Sequence, residues 1–112
     1  MRFFQEHGNR GWTLRLAADV ALKRGTESAH EAGACYREAL ALAENLGMRP
    51  LQAHCHLGLG KLYRRMGRID EARAELSTAV AMLGEMGMTF WLPEAEAALA
   101  QAVAAVSGEL AH

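Results

Sequence analysis

His54-Cys55-His56 is the densest group of metal-ligating and nucleophilic side chains in the sequence. Imidazole and thiolate are zinc ligands, and a thiol beside an imidazole is the beginning of a nucleophilic site. Neighbouring residues on a helix point about 100° apart, so three in a row cannot converge on one ion. No His or Cys pair has i,i+3 or i,i+4 spacing, and a metal would need Cys35 or His30 brought in from elsewhere. A metal- or ligand-binding sensor built on His54, Cys55 and His56 is therefore the alternative reading. The simpler one makes Cys55 a small core filler and His56 a packing residue. Nothing supplies Cys55 with a positioned base or an oxyanion hole, and Glu71, Glu75, Glu94 and Glu96 suit solvated helix faces. Gly58-Leu59-Gly60-Lys61-Leu62 has a superficial likeness to a phosphate loop. Cys55 stands where that loop needs its first Gly, and Leu62 stands where it needs Ser or Thr. The sequence predicts no catalytic residue, no bound metal and no cofactor.

The elements that carry these residues follow from composition. Of 112 residues, 51% are hydrophobic and 22% charged, which excludes a disordered chain. Twelve Lys and Arg against 13 Asp and Glu give a net charge of -1, with no overall field for nucleic acid or an anionic membrane. No run of about 18 apolar residues occurs, so no membrane span is expected. The opening Met1–Arg10 has only two adjacent Phe, too short an apolar stretch for a secretory leader. Two cysteines do not make a disulfide framework, and the expectation is a soluble, reduced, cytoplasmic protein. Ala and Leu together supply 37 residues, Val and Ile only five. That bias favours helix over strand and predicts an all-α fold.

Gly- or Pro-containing joints divide the chain at 8–11, 24–28, 47–50, 66–68 and 87–89. Helices are predicted near 11–24, 28–46, 50–66, 69–86 and 91–107. In the fourth, Ile69, Ala72, Leu76, Ala79, Val80, Leu83 and Met86 recur at steps of three and four, one apolar stripe for the core. A shift of 40 residues superimposes 31–48 on 71–88 with seven identities in 18 positions, including Gly47-Met48 on Gly87-Met88. The helix exits repeat as well: His7-Gly8-x-x-x-Trp12, Leu46-Gly47-x-x-x-Leu51 and Met86-Gly87-x-x-x-Trp91.

His56-x-x-Leu59-Gly60-x-x-Tyr63, then Gly67, Ala72-x-x-x-Leu76 and Ala79, resembles a tetratricopeptide (TPR) repeat, whose pattern is Trp-x2-Leu-Gly-x2-Tyr followed by Ala-x3-Phe. Small Gly60 and Ala72 let two helices approach, Tyr63 and Leu76 fill the space beside them, and Gly67 ends the first helix. Leu14, Ala17, Ala18 and Ala21 stand in an earlier copy where His56, Leu59, Gly60 and Tyr63 stand later, completed by Gly25, Ala32, Tyr36 and Ala39. Leu99-Ala100-x-x-Val103 is a third, partial copy. His56 replaces the family's Trp, Leu76 its Phe, and Gly84 stands where Pro is common. The resemblance implies one domain, 1–112, built as an antiparallel helix-pair solenoid: repeats at about 11–47 and 50–87 and a terminal helix at about 91–107. Residues 36–92 also resemble the C-terminal repeat arrays of bacterial proteins that join a class III nucleotide cyclase to a STAND-type ATPase. That implies a signalling scaffold and a segment of an array, with residues 1–9 the tail of an earlier second helix.

In TPR-like folds the first helix of each pair lines a concave groove. By the repeat alignment that face carries Trp12, Arg15 and Asp19, then His54, Leu57, Lys61, Arg64 and Arg65, then Glu94 and Gln101. Lys61, Arg64 and Arg65 share a helix face. The resemblance implies a non-catalytic module that binds a protein or peptide partner there, an acidic peptide or a carboxylate by its charge. Nucleic acid is not expected, because aromatics do not interleave with the cations. Phe3-Phe4 and Phe90-Trp91-Leu92 read as packing between repeats. The last helix, with Ala95, Leu99, Ala102, Val103 and Val106, would expose apolar surface if nothing covered it, so a homo-oligomer is expected.

Overall fold

The computed structural model describes residues 2–24 and 28–110, with side chains for 9–24 and 28–104. Five helices follow one another: α1 (Arg2–Arg24), α2 (Ala29–Leu46), α3 (Arg49–Arg65), α4 (Ile69–Glu85) and α5 (Leu92–Leu110). Among the described residues there is no strand, and no helix is long and apolar enough to cross a membrane. The expected all-α helix-pair solenoid is the observed fold.

The joints are built alike. Gly47, Gly67 and Gly87 have φ of 66°, 78° and 66°, a left-handed conformation that only glycine enters without steric cost. The next N–H in each case (Met48, Arg68, Met88) reaches back to Ala43, Tyr63 and Leu83 oxygens at 2.8, 2.9 and 2.9 Å. These are Schellman closures, which satisfy the last carbonyls of a helix and turn the chain back. Pro50 and Pro93 then sit at the starts of α3 and α5, where a missing N–H costs nothing.

Packing follows chain order. α1 packs on α2, α2 on α3, α3 on α4 and α4 on α5, while α1 also meets α3 and α3 meets α5. The first helices therefore form one continuous layer. Residues 34–50 and 74–90 run through buried, half-buried and exposed positions in the same order, position by position. The 40-residue period in the sequence is thus a period in the packing. Ala32, Tyr36, Ala39 and Ala43 of α2, and Ala72, Leu76, Ala79 and Leu83 of α4, are all fully buried. The side chains opposite them are small. A Cβ on Gly58 would enter the Tyr36 ring, and one on Gly60 would enter the Leu76 side chain.

Two expectations change. The joint at 8–11 does not exist, because α1 runs unbroken through Gly8, Asn9, Arg10 and Gly11. Residues 2–9 are therefore the start of a first helix and not the tail of a second. Gly11 serves close approach: a Cβ there would stand 2.6 Å from Leu51 Cδ2 of α3. The joint at 24–28 falls largely on residues 25–27, and the side chains of Phe3, Phe4 and Val106 are likewise outside the described residues.

Gly60→Ala puts a methyl group under 3.0 Å from Leu76 Cγ. Overpacking of this kind costs about 1–3 kcal/mol, enough to outweigh the ~1 kcal/mol that alanine gains over glycine in a helix. Gly84 of α4 has no neighbour in reach, so Gly84→Ala keeps a gain of roughly 0.5–1 kcal/mol. Urea unfolding followed by circular dichroism should move the midpoint down for the first variant and up for the second. A Gly60→Ala protein as stable as the wild type would contradict the close approach.

Candidate functional site

The layer of first helices carries a cleft of ≈ 290 Å³. Its walls are Arg15, Asp19, Leu22 and Lys23 from α1, His54, Leu57, Gly58, Lys61 and Arg65 from α3, and Trp91 and Glu94 where α5 begins, with Tyr36 of α2 behind them. A second hollow, also ≈ 290 Å³, shares Lys61, Arg65 and Glu94 and extends the groove past Arg64, Ala97, Ala98 and Gln101. The helical period explains the register. Residues 54, 57, 61, 64 and 65 of α3 fall on one face by steps of three and four, and 15, 19, 22 and 23 do the same on α1.

Seven of the eight residues expected in the groove line it: Arg15, Asp19, His54, Leu57, Lys61, Arg64 and Arg65, as do Glu94 and Gln101. Trp12 does not line the cleft. Half-buried, it packs edge-on against His54, with ring centroids 5.6 Å apart. On its other side His54 meets Trp91 at 4.7 Å, nearly perpendicular. Trp91 was expected in inter-repeat packing, yet it joins three first helices through His54 and also faces the cleft. The exit repeat that aligns Trp12, Leu51 and Trp91 was the signal for it. Arg15 lies over the Trp91 ring, 5.9 Å from its centroid, close enough for a cation–π contact.

Charge is organised along the groove. Asp19 accepts the hydroxyl of Tyr36 and pairs with Arg15, whose Nε is 3.0 Å from Asp19 Oδ2. Burial first, then that hydrogen bond, raises the Tyr36 hydroxyl far above its ordinary range, so it remains a donor. Lys61 pairs with Glu94, and Arg65 donates to the Leu22 carbonyl oxygen at 2.5 Å. The groove gathers five cations (Arg15, Lys23, Lys61, Arg64 and Arg65) against two carboxylates, Asp19 and Glu94. A chain with a net charge of -1 thus concentrates a positive surface on this face.

The tripeptide His54-Cys55-His56 splits three ways. His54 sits between the two indoles, and Cys55 is fully buried with Ala39, Ala43 and Leu51. His56 turns toward α4, where its Nδ1 lies 2.5 Å from Glu75 Oε2. Burial pushes the Cys55 thiol up to about 12, so it stays protonated at neutral pH, the wrong form for a nucleophile. Among the described residues, no three His, Cys, Asp or Glu side chains gather where an ion could sit.

A family model described as tetratricopeptide repeat matches residues 12–85, a span that takes in α2, α3, α4 and most of α1. No curated protein and no solved structure matches the chain.

His54 yields a pH test. It is 5% exposed, its Nδ1 is buried without a hydrogen-bond partner, and burial, then Arg15, lowers its pKa. On acidification the unfolded chain takes up this proton before the folded one does. Stability from this group is therefore present above its ordinary pKa near 6.5 and is lost as pH falls below it. His54→Phe keeps a ring between the indoles and removes the titration. The stability of His54→Phe relative to wild type should be flat above neutrality and grow between pH 7 and pH 5, by urea unfolding at each pH. A difference independent of pH would refute the neutral, buried imidazole.

Proposed function

We propose that this chain, which belongs to the tetratricopeptide repeat family, is a non-catalytic module that holds an acidic segment of a partner protein across its three first helices. The family generally mediates protein–protein interaction. The finer reading is carried by one observation, the five cations against two carboxylates on a groove walled by Leu57, His54 and Trp91. An acidic peptide gains there from carboxylate pairing with Arg15, Lys61, Arg64 and Arg65 and from apolar contact with Leu57 and Trp91. Lys61 is held by Glu94 and Arg15 by Asp19, so the free groove is already ordered. A peptide carboxylate competes with those two intramolecular partners, which favours a ligand with several acids over one with a single charge. The working unit is taken as one domain, with the expected first repeat (11–47) extended back to the start of α1, a second at about 50–87, and α5 after them. The sequence resemblance of residues 36–92 to the repeat arrays of cyclase and STAND-ATPase proteins is what suggests a scaffold role in signalling.

Self-association is a second activity, favoured by a separate observation. Leu16, Val20 and Val103 are 55%, 51% and 44% exposed on the first and last helices. Apolar groups exposed on the outer faces of a helical repeat mark interaction surfaces.

Intrinsic tryptophan fluorescence reads the groove, because Trp91 lines it and Trp12 packs beside it. Titration with a short Asp/Glu-rich peptide should saturate and weaken as salt rises. Lys61→Glu together with Arg65→Glu should cost about tenfold or more in affinity, roughly 1.4 kcal/mol. Circular dichroism checks that the double variant keeps its helices. Binding that survives the charge reversal would sink the groove assignment.

A further inference from the structure

The repeat register gives each first helix two packing faces, one toward the preceding pair and one toward its own second helix. On α3 the first face carries Cys55, Gly58 and Leu62, and on α5 it carries Ala95, Ala98 and Ala102, all of them buried. Aligning Leu14 with His56 puts Thr13, Leu16 and Val20 at the same positions of α1, where all three are exposed. The second face of α3 carries Leu59, Gly60 and Tyr63, again buried. Its counterpart on α5 is Leu99, Ala100 and Val103, half-buried or exposed. Two inter-helix faces, one on α1 and one on α5, are thus uncovered among the described residues.

These faces complement each other in size and charge. Where α3 and α5 offer Gly58 and Ala98 to make room for a preceding pair, α1 offers Leu16, a knob in place of a hole. The open face of α5 has the hole: Ala100 stands at the position of Gly60, the residue that receives Leu76 inside the chain, and exposed Ala104 lies one turn further on. Arg15 of α1 and Glu94 of α5 are paired inside the chain, and beside the two open faces stand exposed Arg24 of α1 and exposed Glu96 of α5. Neighbouring helices in this solenoid run antiparallel. In that orientation Arg24, exposed in the last turn of α1, comes to exposed Glu96 near the start of α5, Val20 comes to Ala100, and Leu16 comes to Val103 and Ala104.

We propose that a second copy of this chain covers both faces. The Leu16–Val20 face of one molecule docks on the Leu99–Ala100–Val103 face of the next, a head-to-tail contact. It rests on the self-association reading above and specifies which surfaces meet. A heterologous contact of this type leaves one face of each kind open at the ends, so assembly grows with concentration or closes into a ring.

Complementation of two blocked variants tests it. Leu16→Asp disables the α1 face and Val103→Asp the α5 face, both at exposed positions that leave the core alone. In light scattering after size exclusion, the wild-type mass should rise with concentration and each variant should run as a monomer. Their equimolar mixture should return a 1:1 dimer, because each keeps the face the other has lost. As a second route, Arg24→Glu and Glu96→Arg should each weaken association about tenfold, and the double swap should restore it. A wild type that is monomeric at every concentration overturns self-association and this pairing together. A wild-type oligomer that neither variant breaks, or variants whose mixture stays monomeric, overturns the pairing and leaves self-association through other surfaces.

Discussion

Large side chains on second helices fill space that first helices leave by having almost no side chain. Tyr36 lies where a Cβ on Gly58 would be, and Leu76 where a Cβ on Gly60 would be. Both large residues are fully buried. This contact sets how near α2 stands to α3 and how near α3 stands to α4. Close-packed interiors do not absorb an extra methyl group without moving something. The separation of the first helices, and so the width of the groove, therefore depends on those two glycines.

Tyr36 links that packing to the groove's charge. Leu76, its counterpart in the next pair, ends in methyl groups, but Tyr36 carries a hydroxyl through the layer to Asp19. Asp19 is thereby held to both α2 and Arg15. The Asp19 carboxylate thereby ties a second-helix hydroxyl to the guanidinium beside it. Arg15 in turn lies over Trp91, which closes on His54. The groove's aromatic and ionic parts are one connected set, rooted in a second-helix residue of the core.

Much of this was legible because its causes are local. Ala and Leu content, the three- and four-residue steps of Ile69 to Met86, and the Gly47, Gly67 and Gly87 stops act within a turn or two of chain. They marked α2 to α5 to within a few residues. The groove register followed from the same period, and Arg15, His54, Lys61 and Arg64 came out on one face. What escaped was decided at long range. Gly11 looks like a helix stop, and only Leu51, forty residues on, makes it a point of contact inside α1. The ring of Trp91 was assigned to packing between repeats and packs there; that it also faces the cleft depends on how α5 leaves Met88 and settles on α3. Tyr36 read as one of the residues that complete the first repeat copy, and it is buried. That its hydroxyl would reach Asp19 required knowing the distance between α1 and α2.

The packing order has a consequence for how the molecule comes apart. Each helix packs mainly on its sequence neighbours and, among first helices, on the next first helix. Such a chain behaves as a one-dimensional lattice, in which stability is a sum of unit terms and nearest-neighbour couplings. Among the described residues α3 is packed on both sides by pairs built to the same plan, whereas α1 and α5 are packed on one side. Melting should therefore begin as fraying from the two outer helices toward α3, with no single all-or-none step needed. The central stretch of the groove, His54 to Arg65, sits on the last element to let go.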